Sequence, residues 1–195
     1  MTARLPTEER RAQITDAAMK IIGERGLRAF TIAQIAREVG IRDGTVFRHF
    51  SSKDEIVQAV LDRLEEIFSG TYPPPIDDPL ERLSRFFMKR VEVVMSQPGV
   101  QALVFSDELI HAGGEIGLER VMRMRKQAQR YIHSCLFEAA EKNLLRPDIN
   151  LEDIVVLFHG AVMSVVFLSK SSPGEVSLGG LAGRVLKTLL SLIRR

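Results

Sequence analysis

The chain has 195 residues, 45% of them hydrophobic and 27% charged, the balance of a globular protein with enough material for a real core. Its single cysteine, Cys135, excludes an intramolecular disulfide and any metal site built on several thiolates. The net charge is only +2 but unevenly spread: residues 1–53 hold 10 Lys+Arg against 6 Asp+Glu, and residues 54–195 hold 17 against 19, so a basic head precedes a mildly acidic body.

The N-terminal stretch MTARLPTEERR is polar and has no apolar signal core. Thr7 is a candidate N-cap, with Glu8 and Glu9 in the first turn where carboxylates suit the helix dipole. Ile14, Ala17, Ala18, Ile21 and Ile22 recur at helical spacing, and Gly26 ends this first helix. Arg4, Arg10 and Arg11 near its start are either solvated charges or contacts to a nucleic-acid backbone. Thr31 opens a second helix, with Gln34 at the capping-box position and Ile32, Ile35, Ala36 and Val39 facing inward. Gly40 ends it. About two residues separate it from a third helix near Asp43 to Phe50, and so short a link makes the two helices cross steeply. Val46 and Phe50 pack inward there, leaving Thr45, Arg48 and His49 largely outward.

Ser52, with Glu55 three residues on, caps a fourth helix whose stripe runs from Ile56 to Phe68. The breaker-rich SGTYPPPID follows, and Asp78-Pro79 starts a fifth helix that Pro98-Gly99 ends. A shorter helix is expected from Val100 to His111, stopped at Gly113-Gly114, and a long seventh from about Glu115 to Asn143. Asn150 caps an eighth, to about Ser169, and a ninth runs from about Val176 to Ile193. No strand-like alternation appears. The expectation is an all-α protein of about nine helices: a helix-turn-helix head over residues 1–53, a connector helix over 54–68, and a helical body through 195. The longest uncharged apolar run, Ile154 to Leu168, is 15 residues, short of the roughly 18 that suggest a membrane span. A cytoplasmic protein with no membrane partner is therefore expected.

The second and third helices have the arrangement that lays a recognition helix in the DNA major groove. Thr31 and its helix N-terminus suit a phosphate. Arg48 suits guanine or a phosphate, Thr45 a thymine methyl, and Lys53 a phosphate. Each also has a plain structural reading, as a cap or a solvated charge.

These residues resemble a known family. TIAQIAREVGIRDGTVFRHFSSKDEIVQAVL is similar to the DNA-binding head of the TetR/AcrR-type transcriptional regulators, in Thr31, Ile35-Ala36, Val39-Gly40, Gly44-Thr45, Phe47, His49-Phe50 and Lys53. The likeness covers about residues 7–64; beyond it only helix count and lengths agree. The residues and the likeness together give a DNA-contacting set of Thr31, Arg42, Asp43, Thr45, Phe47, Arg48, His49 and Lys53, and the likeness implies a homodimer built on the last two helices and an effector-binding and dimerisation body over 54–195. Three positions depart from the pattern. Phe47 stands where the family usually has Tyr and gives up a phenol–phosphate bond. Arg42 stands where Ser often caps. Asp43 beside it can accept from a cytosine amine, cap the helix, or hold Arg42.

Helix eight, IVVLFHGAVMSVVFL, is apolar nearly all round, so it should be covered on both sides. Val155, His159, Val162, Val166, Leu181, Val185 and Leu189 are the expected dimer interface. Gly160, Ala161 and Ser164 would allow close helix approach. Phe87, Met88, Val91, Phe105, Leu109, Met122, Tyr131, His159 and Met163 are the candidates for an adaptable, mostly apolar effector pocket. The histidines show no paired metal spacing, so neither metal nor cofactor is expected. No nucleophile–base pair or phosphate loop stands out, and the chain is not expected to be an enzyme. The reading is a ligand-responsive repressor that binds a near-palindromic operator as a homodimer and is released by a small apolar effector. An architectural or cell-cycle factor on the same scaffold is the alternative.

Overall fold

The computed structural model describes residues 6–104, 107–171 and 178–195. Among them are nine α-helices, one 3-10 turn and no strand: α1 (Thr7–Arg25), α2 (Ile32–Val39), α3 (Asp43–His49), α4 (Lys53–Ser69), α5 (Pro79–Ser96), α6 (Pro98–Val104), α7 (Glu108–Glu141), α8 (Leu151–Ser171) and α9 (Leu178–Ile193). The all-α reading holds.

The chain forms two compact units. The first unit comprises Met1–Ile67 and Gln97–Met122; the second comprises Phe68–Ser96 and Arg123–Arg195. Most of α4 therefore packs with the head.

In the first unit α1 packs against α2, α3 and α6. Ile14, Ala18, Ile21 and Ile22 of α1, Ile35 and Ala36 of α2, and Ile56, Val60 and Leu61 of α4 are all buried. The crossing of α1 with α6 is close. A Cβ on Gly23 would stand 2.7 Å from the Gly99 carbonyl oxygen. Arg120 adds a bidentate pair to Glu65 (2.9 and 2.8 Å) and a bond to Asp62 at 2.7 Å.

The helix ends correct five sequence expectations. Thr7 is the first helical residue, not the cap; Pro6 holds that position without a side-chain bond. Thr31 caps α2 by accepting from Gln34 N at 3.2 Å, but its own N–H donates to the Ala29 carbonyl, so the box is not reciprocal. Ser52 accepts from Glu55 N at 3.1 Å, while the Glu55 carboxylate takes Ser51 N and Oγ instead of Ser52 N. The expected sixth helix is divided: α6 ends at Val104 and α7 begins at Glu108. Gly114 (φ 57°, ψ −143°) interrupts α7 rather than preceding it. A left-handed φ is open to glycine at little cost, and the helix turns there. The expected start of helix nine at Val176 lies outside the described residues.

In the second unit α5 packs against α8 and α9, and α8 against α9. Its core combines Leu83, Phe86, Phe87 and Val91 of α5 with Ile132 and Leu136 of α7, Phe158 of α8 and Leu186 of α9. Asp78 caps α5 as expected, its Oδ1 accepting from Leu80 N at 2.8 Å. Leu151–Leu168 is an 18-residue window of mean hydropathy 1.9, enough by length and composition to cross a membrane. Val155, Phe158, Val162 and Val165 of that window instead join the core of the unit.

Candidate nucleic-acid interface

The recognition segment is anchored from below. Val46 and Phe50 are fully buried, so α3 is fixed in rotation, and Gly40 in the left-handed region (φ 74°) closes α2. One arginine of α1 secures the far end. Arg11 donates from Nη1 to the His49 carbonyl and from Nη2 to Glu55 Oε1 at 3.0 Å, with its guanidinium carbon 4.0 Å from the centroid of the Phe50 ring. Sequence reasoning offered Arg11 only as a solvated charge or backbone contact. Its partners are 38 and 44 residues away, and no local signal marks them. Lys20 and Arg25 of α1 hold Glu38 of α2 at 2.6 and 3.5 Å. Arg10 bonds Gln13, and Arg4 lies outside the described residues.

What this leaves outward is a small set. Arg42, Asp43, Gly44, Phe47 and Arg48 are exposed on α3 and its N-terminus, Thr31 is exposed at the start of α2, and Lys53 is exposed at the start of α4. Phe47 is 56% exposed, a large apolar ring presented to solvent. Thr45 is half-buried and accepts from Arg48 Nη2 at 2.9 Å. Lys53 Nζ lies 4.8 Å from the Phe30 ring centroid. Arg42 occupies the N-cap position with no side-chain cap bond. His49 is half-buried, and its Nδ1 has no hydrogen-bond partner. Burial first, then the charges of Arg48, Arg10 and Arg11, hold its pKa below the usual imidazole value, so it is neutral at neutral pH. Chemically the surface offers two guanidinium forks, one ammonium, a hydroxyl, a carboxylate and an apolar ring.

The effector candidates are dispersed. Phe87 and Val91 are buried in the second core, Phe87 edge-on to Phe158, with Met88 and Tyr131 packed against that core. His159 and Met163 are half-buried on α8. Leu109 is buried in the first unit, Met122 is exposed at its end, and Phe105 lies outside the described residues. A recess of about 370 Å³ lies along α9, lined by Gly183, Leu186, Lys187, Leu190, Ser191 and Arg194, none of them predicted.

The expected dimer face is corrected in phase. Val155 and Val162 are buried in the core of the second unit, where α5 and α9 pack against α8, and Val166 is buried as well. The apolar residues left exposed are Val156 (64%), Leu157, Phe167 and Leu168, beside an exposed Gly160 and Ser164. Leu181, Val185 and Leu189 are half-buried against the core.

Sequence reasoning also missed Arg90, a charge on the apolar face of α5 between Phe87 and Val94. It is buried beside the rings of Phe68, Tyr72 and Phe86. The available signal was a cation at a core position of the helical repeat.

Comparison with known proteins places this head. The tetR family of bacterial regulatory proteins matches residues 14–60. The chain is 30% identical over 152 residues to the HTH-type transcriptional repressor KstR2 of Mycobacterium tuberculosis (strain ATCC 25618 / H37Rv), across 76% of this chain and 75% of that protein. The solved structure of the ketosteroid transcriptional regulator KstR2 of Mycobacterium tuberculosis matches with a TM-score of 0.74 at 25% identity, over 95% of each chain. The solved SmeT–triclosan complex matches with the same TM-score at 20% identity, over 95% of this chain and 91% of that one, a likeness of fold. Together with the anchored recognition helix, these matches show that the chain belongs to the TetR family of DNA-binding transcriptional regulators, which are not enzymes.

Proposed function

We propose that this protein is a cytoplasmic, homodimeric repressor that releases a near-palindromic operator when a small, mostly apolar effector binds its second unit. The observation that carries the reading is the exposed arc on α3, with Arg42, Asp43, Phe47 and Arg48 outward over a buried Val46 and Phe50. Two such helices related by a two-fold axis enter successive major grooves about 34–36 Å apart, or a multiple of that. In this reading Arg48 and Thr45 read base edges, and Arg42 and Asp43 set preference at the helix tip. Thr31 and Lys53 hold phosphates, and Phe47 and His49 line the groove wall. The head spans residues 1–53 functionally, with α4 as its connector to the body.

The exposed apolar strip Val156–Leu157–Phe167–Leu168 with Gly160 is the surface that supports self-association. An added Cβ on Gly160 meets nothing within 4 Å in the single chain, so the small residue leaves room for a second backbone. A ketosteroid regulator and a triclosan complex among the similar structures support an apolar effector.

Selection of bound DNA from random duplexes, at stated salt, tests this reading. Enrichment of an inverted repeat is the expected result, and no enrichment at low salt overturns it.

A further inference from the structure

Arg90 is a buried ion of the second unit, at 8% exposure. Its guanidinium carbon lies 4.6 Å from the ring centroid of Phe68, 4.9 Å from that of Phe86 and 5.5 Å from that of Tyr72. Rings stabilise the cation through its faces and leave its N–H edges unbonded. Arg90 Nε and Nη2 have no hydrogen-bond partner. Those two nitrogens form one edge, whose N–H bonds run parallel and take both oxygens of a carboxylate. The chain uses that edge twice elsewhere. Arg120 donates from Nε and Nη2 to the two oxygens of Glu65, and Arg146 from the same pair to Asp148 at 3.2 and 2.9 Å.

Arg90 offers the same fork from the interior with no carboxylate on it, an arrangement that costs stability unless something completes it. A second buried donor belongs to the same ring cluster. The Tyr131 ring lies 5.0 Å from both Phe86 and Tyr72, and its buried hydroxyl also lacks a partner. The Cys135 thiol lies beside it. Burial pushes the Tyr131 pKa up to about 12, so the hydroxyl keeps its proton to donate. Burial, then the charges of Arg90 and Arg125, keep His159 below its usual pKa, so at neutral pH it adds no second cation.

We infer that Arg90 anchors the effector, and that the effector is an apolar molecule bearing one carboxylate, held through Arg90 Nε and Nη2 with Tyr131 Oη as a further donor. This rests on the effector-responsive reading above and narrows the ligand to apolar monocarboxylic acids. Phe68 belongs to the last turn of α4, the helix whose first residue is Lys53. A ligand on Arg90 therefore acts at one end of the helix whose other end carries a proposed phosphate contact.

The test uses the full chain and calorimetric titration with decanoate and with lithocholate, each against its uncharged primary amide. At least one acid should bind at least about tenfold tighter than its amide, as a charge-assisted fork predicts. Arg90→Met should bring the acid down to the level of the amide at unchanged helicity. It should also raise the ligand-free Tm by about 2–4 °C, because an unpaired buried charge is gone. Arg90→Lys, a cation without the fork, should fall between. Equal affinity of acid and amide, or a preference that survives Arg90→Met, overturns the anchor and leaves effector binding standing. A lower ligand-free Tm in Arg90→Met overturns it too, by making Arg90 a structural cation among its rings. No binding of any probe at millimolar concentration, by a protein that still binds its selected duplex, overturns the carboxylate class and leaves the regulator intact.

Discussion

Arg48 Nη2 donates to Thr45 Oγ1 at 2.9 Å across one turn of α3, so the two side chains proposed to read bases are already joined before DNA arrives. The bond orients the Arg48 fork and takes one of the hydroxyl's two acceptor sites. On the selected operator, Arg48→Ala should cost about 1–3 kcal/mol and relax preference at particular base pairs. Thr45→Ala should lose less, and the double variant should lose less than the sum, because the second change removes a bond already broken. Affinities of the four proteins on the operator and on single-base variants check this; strict additivity contradicts it.

Lys53 points its ammonium over the Phe30 ring at 4.8 Å yet remains exposed. As a phosphate contact it should act on every sequence alike. Lys53→Ala should weaken operator and random duplex by the same factor and reduce the slope of log K against log salt by about 0.9 per protomer. Titrations between low and physiological salt read both quantities.

Gly44 has open space where a Cβ would go and no positive φ, so the free protein gains nothing from glycine there. Gly44→Ala should stabilise the ligand-free fold by about 0.5–1 kcal/mol, from reduced unfolded-state entropy. It should weaken DNA binding if the N-terminal turn of α3 lies close on the backbone. Urea melts and operator titrations separate the two effects; unchanged DNA affinity would remove Gly44 from the interface.

His49 and His159 share a pH signature. Burial lowers both pKa values from 6.5. The unfolded chain therefore takes up protons at a higher pH than the folded one. Stability is fully present above about pH 6.5 and falls as pH drops below it toward the lowered folded values. Tm measured from pH 7.5 to 5 should fall, and His159→Gln should reduce the fall. A Tm that is flat or rises over that range contradicts the prediction.

Local chemistry was what the sequence carried well. Thr31 and Asp78 as caps, Gly26 and Gly40 as stops, and Val46 with Phe50 as the inward pair all follow from rules spanning one turn. Long-range uses of a side chain were illegible. Arg11 reads as a surface cation, yet its role is to tie α1 to the end of α3 and the start of α4. Helix α8 shows a different limit. A helix apolar all round has no polar face to set its phase, so sequence alone does not show that Val155 and Val162 pack inward. The rings of Phe68 and Tyr72 that cover Arg90 come from another stretch of the chain, so no rule spanning one turn marks it.

The pairing of recognition helices is tested most directly by operator affinity against half-site spacing. The selected inverted repeat is lengthened in single base-pair steps and titrated with wild type and with Leu157→Asp, which puts a charge on the exposed strip of α8. Wild type should show one optimal spacing and lose binding sharply when about 5 bp, half a helical turn, is inserted. Leu157→Asp should bind weakly at every spacing, as a single head. Wild-type affinity indifferent to spacing would contradict two α3 helices acting as a pair.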